Sequence, residues 1–207
     1  MFNVRRESKE RVIAKGFQKK LEQIRKDDAD ILKIIALDNF DDATENLELA
    51  FSGADLTVHN MFKANYLGLE VLKPKQRFWG VSAIINPDHW AHDPYLQYYK
   101  RVNYEQAARG VEIERIFILQ NQKEIDAMAH IMSEQKSKGI FVQYVLEDQI
   151  RHVSAFPDFT VFPDNGCVLY VPDLNKLLRC NVSQDKKIVD EISNDFIRIK
   201  EIAKKWE

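Results

Sequence analysis

The sequence predicts an α/β fold, in which a mixed, partly parallel central sheet is flanked by helices and preceded by a helical N-terminal extension. Three observations predict it. Between residues 77 and 147, runs rich in β-branched residues alternate with helical runs in the order strand, helix, strand, helix, strand, and right-handed crossovers turn that order into parallel strands. After residue 152, short apolar runs flank a Pro-Asp-Asn-Gly turn; Asn-Gly between such runs is a strong hairpin signal, so antiparallel strands extend the sheet at one side. The last segment repeats Ile192, Phe196, Ile199, Ala203 and Trp206 at spacings of four and three, the stripe of a helix that buries one face.

Taken in chain order, Ile13, Phe17, Leu21 and Ile24 mark an amphipathic helix over residues 6–26. The run "DILKIIALD" fits either a buried strand or a helical turn. In "FDDATENLELAFSGADLTVHNMF", Leu47, Phe51, Ala54, Val58 and Phe62 fall on one helical face, with Ser52-Gly53 as a place where that helix could break. Lys73-Pro74 closes this helical third, so the expected division is an extension over 1–74 and an α/β domain over 75–207. The strand "RFWGVSAI" opens the domain, and "INPDHWAHDP" reads as a loop. Asp93 caps a helix that starts with Pro94, carries Tyr95, Tyr99 and Val102 on its apolar side and stops at Gly110. "VEIERIFIL" is a strand, Ile125, Met128, Ala129 and Met132 mark a helix ended by Gly139, and "IFVQYVLE" is a strand. "DFTVF", "CVLYVP" and "LLRCNV" supply the later strands.

A chain of 207 residues with 45% hydrophobic and 30% charged residues suits one globular domain plus an extension. The formal net charge of −2 gives no global attraction to nucleic acid or to an anionic membrane. Locally, residues 1–20 are basic and residues 21–60 acidic. Cys167 and Cys180 stand in apolar, strand-like surroundings with no CxxC, as two small buried residues of a reducing compartment would. With no apolar run near the ~18 residues of a span and no leader pattern, the expected location is cytoplasmic.

Two features, "ARGVEIERIFIL" and "PDFTVFPDNGCVLYV", carry a resemblance over roughly residues 75–206. The first is a helix that ends in glycine before a strand. The second is similar to the strand-turn-strand that holds the H-x-K-x-x-x-x-D motif of the phospholipase D-like superfamily. Laid on this chain, the motif's aspartate falls on Asp164, its histidine on Pro157 and its lysine on Phe159. The chemistry needs a histidine nucleophile and a lysine that holds phosphate oxygens, and neither proline nor phenylalanine serves. His152 lies too far upstream for the spacing. The resemblance therefore implies a phospholipase D-like half-unit without its catalytic residues, of the kind that binds, dimerises or senses.

The densest polar cluster is "NPDHWAHDP", with Asp88, His89, Trp90, His92 and Asp93 following a parallel strand. Ligands of open α/β sheets bind outside the carboxyl ends of such strands. Gln120 and Asn121 stand at the end of the next strand, and Glu147, Asp148, Arg151 and His152 at the end of the third. The candidate ligand-binding set is Asp88, His89, Trp90, His92, Asn121, Asp148, Arg151 and His152. The bland reading gives Asp88 and Asp93 turn and capping roles, leaves His89 in solvent and puts Trp90 in the core. No catalytic residue, metal or cofactor is expected: His89 and His92 lack a fixed third ligand, and Walker, GxGxxG and GxSxG motifs are absent.

Three functions follow as expectations. The first is a regulatory or interaction module that binds a protein partner or an anionic small ligand, with a homodimer plausible. The second is a hydrolase of a phosphate-containing substrate that uses His89, His92 and nearby carboxylates. The third is a nucleic-acid-binding regulator that works through the basic first helix, with steep salt dependence.

Overall fold

The computed structural model describes residues 48, 49, 52, 54–58, 60–83, 87–150, 152–154, 156, 158–172 and 180–207, with the backbone alone for residues 89 and 91. The chain divides into two compact units, Met1–Ser52 and Gly53–Glu207. The expected helix over residues 6–26 and the ambiguous run after it lie outside the described residues. The unit that carries the sheet begins at Gly53 rather than at residue 75, because residues 56–72 contribute a strand and a helix to it.

That stretch corrects the sequence reading. Residues 56–58, expected within a helix with Val58 on its apolar face, form strand β1 (Leu56–Val58), paired with β7 (Cys180–Ser183). Thr57 and Val58 are β-branched and favour the strand. Helix α1 (Met61–Glu70) starts afresh where the Asn60 side chain accepts the amide of Lys63 at 2.9 Å.

The remaining elements follow the expected alternation. Strand β2 (Arg77–Ala83) leads to the short helix α2 (Pro87–His92) and then to α3 (Pro94–Ala108). The expected loop over 85–94 is thus largely a helix, which a proline at its first position favours. Asp93 caps α3 by accepting the amides of Tyr95 and Leu96. Strand β3 (Glu112–Leu119), helix α4 (Gln122–Ser137), strand β4 (Phe141–Leu146) and the single turn α5 (Glu147–Ile150) come next. Gly110 and Gly139 take φ of +92° and +87° where α3 and α4 end, the left-handed stop that the sequence marks with glycine. Strand β5 (Asp158–Phe162) turns through a 3₁₀ turn over Pro163–Asn165, with Gly166 at φ +57°, into β6 (Cys167–Val171). Helix α6 (Lys186–Ile202), capped by Asp185, precedes a two-residue strand β8 (Lys204–Lys205).

Among the described residues the sheet has eight strands in the order β1-β7-β6-β5-β2-β3-β4-β8. Strands β2, β3 and β4 are parallel, and the others join antiparallel to their neighbours. Both faces are covered. One face, with Phe78, Ile113, Phe117 and Phe162, packs under α1 to α4. The other, with Val81, Ile116, Phe159 and Val161, packs under α6 through Ile192, Phe196 and Ile199. Phe196 also stacks on Trp79 at 4.8 Å between ring centroids.

Asp164, where the motif's aspartate falls, fastens the hairpin to the start of β2. Its Oδ2 accepts the Arg77 amide at 2.7 Å and its Oδ1 the Arg77 Nη2 at 2.7 Å. Those hydrogen bonds hold its carboxyl below the usual carboxylate range.

Trp206, expected on the buried stripe of the last helix, leaves it. The helix ends at Ile202 and the chain crosses the β4 edge, where β8 pairs with Gln143 and Tyr144. On the opposite layer from α6, the Trp206 indole donates to Ser133 Oγ of α4 at 3.0 Å and meets the Tyr144 ring. The tail thus ties both helical layers across one sheet edge. Trp206→Ala is expected to lower stability by about 1–3 kcal/mol. Hydrogen exchange should show the amides of residues 204–206 losing protection while that of Ile199 keeps it.

Candidate functional site

The carboxyl ends of β2, β3 and β4 share one edge, as the crevice reading requires. Asp88 and His92 are exposed on α2, and the His89 side chain and Arg151 lie outside the described residues. Trp90 is 6% exposed and packs edge-on to Phe117 at 5.3 Å, so it belongs to the core and not to an open wall. Asn121 caps α4, its Oδ1 accepting the amides of Lys123 and Glu124. That role occupies the oxygen offered for a ligand. Asp148 stands exposed in α5 and His152 exposed in the turn after it. Among the described residues, no three His, Cys, Asp or Glu side chains gather where a metal ion could be held.

A polar cluster that the sequence reading did not single out lies beneath this edge, inside the layer under α1 to α4. Arg115 of β3 is 2% exposed. Its Nη2 donates to Tyr99 Oη at 2.6 Å and to Asn103 Oδ1 at 3.0 Å, and its Nη1 to Ser82 Oγ at 3.3 Å. The guanidinium lies 5.0 Å from the Tyr99 ring centre, 5.7 Å from Trp90 and 5.8 Å from Phe78. Aromatic faces attract the cation. The Arg115 Nε nevertheless has no hydrogen-bond partner among the described residues.

The acid of this layer is Asp158, buried at the start of β5, whose Oδ2 accepts the Ala83 amide at 3.2 Å. The register Gly80 to Thr160 puts Arg115, Gly80 and Thr160 side by side across three strands, with Ser82 and Asp158 one step further on. Burial raises the Asp158 carboxyl from its ordinary 3.8 to about 7, against the pull of the Ala83 amide and of the Arg115 charge. Burial also raises the Tyr99 hydroxyl, which Arg115 opposes. Cys180 is pushed up to about 12, by burial first and by Asp158 second. Arg115 had a sequence signal: in Val111, Ile113, Arg115, Phe117 and Leu119 it occupies an alternate position among apolar residues that share its face.

No family model matches this chain, and no curated protein matches it. Among solved structures it is similar to that of TrmBL2, an archaeal chromatin protein whose structure shows a novel mode of DNA binding, with a TM-score of 0.46 and 14% identity over 94% of this chain and 69% of that one. A likeness at that level carries no inference about function. No helix among the described residues is long and apolar enough to cross a membrane.

The cluster makes two expectations measurable. A carboxyl raised to about 7 in the folded state adds stability that is complete below its unfolded value and is lost as pH rises through 7. Wild-type stability should therefore decline from pH 5 to 8, by at most about 1.4 kcal/mol per pH unit from this group. In Asp158→Asn, urea unfolding at each pH should show that part of the slope removed. Arg115→Ala, which strands the Tyr99 and Asn103 acceptors and empties the aromatic box, should cost about 3–5 kcal/mol, and Arg115→Met less, because it fills the space.

Proposed function

We propose that this chain is a catalytically silent phospholipase D-like half-unit that works as a regulatory interaction module for a protein partner. The observation that carries the reading is the setting of Phe159. Where the related enzymes place a lysine for phosphate, Phe159 is fully buried under α6, on the face of the sheet opposite Asp158 and Arg115. A side chain in that place serves the core and meets no substrate. The capping role of Asn121 and the burial of Trp90 make an anionic ligand in the strand-end crevice the weaker version of the proposal.

The surface best suited to a protein is the outer side of α1 and α3. Val71 is 72% exposed and Leu67 48%, one turn apart, and Tyr95 and Tyr98 of α3 are exposed as well. Tyr98 is held in place: it meets the Tyr66 ring at 4.7 Å, donates to Glu70 at 3.1 Å and lies under the Arg101 guanidinium at 4.6 Å. Ordered tyrosines beside an arginine match the composition of interface hot spots, and Leu67 and Val71 add exposed apolar surface on the same helix. The simplest partner is a second copy of the chain.

Sedimentation equilibrium tests the face. Reversible association is expected in the wild type and should weaken at least about tenfold in Leu67→Asp/Val71→Asp, since two charges cannot be buried in an apolar contact without that loss. Association unchanged by the substitutions would move the interface elsewhere. Bis(4-nitrophenyl) phosphate tests the catalytic side. No turnover above buffer is expected, and turnover that falls in His92→Ala would replace this reading with the hydrolase.

A further inference from the structure

We propose that the groove between α1 and strands β5 to β7 is a binding site for a small, uncharged, mainly apolar molecule with one hydrogen-bonding end. The site adjoins the outer face at Val71, which borders both, but none of the tyrosines lines it, and the inference does not rest on the partner reading. The groove has a volume of about 250 Å³. Ala64, Val71 and Leu72 line it from the helix side, and Phe162, Leu169 and Val182 from the sheet. Laying an apolar chain on these walls removes the apolar surface of both from water.

The polar groups in the lining are as informative as the apolar ones. Asn165 and Gln184 bring neutral amides and Cys167 a thiol, and among the described residues no charged one lines the groove. Burial raises the Cys167 thiol to about 11, so it stays neutral at physiological pH. An ion entering such a groove would lose its hydration without gaining a counter-charge, which selects against carboxylates and ammonium groups. An alcohol, ketone or amide can lay its chain on the apolar walls and turn its polar end to Asn165 or Gln184.

The floor is built for close approach. A methyl group at Gly68 would stand 2.5 Å from Cζ of Phe162, so the helix backbone lies directly on the phenyl ring. That contact holds the ring in place as part of the floor.

The test uses the full chain and two probes of equal length, 1-octanol and octanoate. The readout is the rate of Cys167 alkylation by iodoacetamide at mildly alkaline pH, followed by peptide mass spectrometry, with alkylation of the buried Cys180 as the marker of unfolding. We expect saturable protection of Cys167 by octanol and protection at least about tenfold weaker by octanoate. Ala64→Phe, which fills the groove, should abolish octanol protection without lowering the melting temperature. No protection by octanol up to its solubility limit would overturn the proposal. So would equal protection by octanoate, or unchanged octanol protection in folded Ala64→Phe. Should that variant fail to fold, the comparison of alcohol with carboxylate on the wild type decides alone.

Discussion

Parallel strands β2, β3 and β4 are buried on both faces, and this double covering is the constraint on which the rest of the unit depends. Two crossovers, α2–α3 and α4, cover one face, because each returns the chain to the start of the next parallel strand. Nothing in the crossovers can cover the other face, and the chain answers with α6, added after the antiparallel strands. The long apolar stripe of Ile192, Phe196 and Ile199 is the counterpart of a sheet face that would otherwise expose Val81, Ile116 and Phe159. The edges are treated separately. At the β4 edge the tail supplies two lysines as a short outer strand, a sequence poorly suited to pairing with another chain.

A core covered on both sides makes a buried charge expensive, which is why the Arg115 cluster stands out. Tyr99, Asn103 and Ser82 engage both terminal nitrogens, and among the described residues Nε is left without a hydrogen bond. The three aromatic rings supply attraction without supplying a counter-charge. Asp158 is the acid whose field reaches Arg115, yet burial drives its carboxyl toward the neutral form near pH 7. Replacing such groups with well-packed apolar ones is often neutral or favourable for stability, whereas removing one partner is not. The cluster links α3 to β2 and β3 through side-chain hydrogen bonds, and it fixes how that helix sits on the sheet more narrowly than apolar packing would.

The sequence made the α/β alternation legible where local chemistry and tertiary packing agree. Asp93 with Pro94, Gly110, Gly139 and the turn ending in Gly166 all mark boundaries that backbone geometry demands, and they fall where expected. Three features were not legible, each for a physical reason. Residues 56–58 pair with a strand more than a hundred residues away, and three residues are too few to show a period of two. Trp206 continues the helical spacing of Phe196 and Ile199, but the helix ends at Ile202 because the tail gains the β4 edge and the Ser133 hydroxyl instead. Of the residues proposed for a ligand, Trp90 and Asn121 take structural roles because a large aromatic next to a sheet is drawn inward and an asparagine before a helix is drawn to its free amides. Arg115 was legible only as an exception to the apolar alternation of its own strand.

The position of Phe159 bears on more than the missing lysine. In a strand buried on both sides, successive side chains enter opposite layers, so residue 159 and its neighbour Asp158 are committed to different cores. A lysine at 159 would therefore place an ammonium under α6, in the layer of Phe196 and Ile199, with the Arg115 cluster on the far side of the sheet. The phospholipase D-like chemistry that the sequence resembles requires histidine and lysine to reach one phosphate together. In this chain a two-residue exchange at 157 and 159 would bury a charge in an apolar layer before it could assemble that site. The packing of β5 is thus incompatible with a charged side chain at 159, whereas substitutions on the outer helical layer do not pass through the sheet.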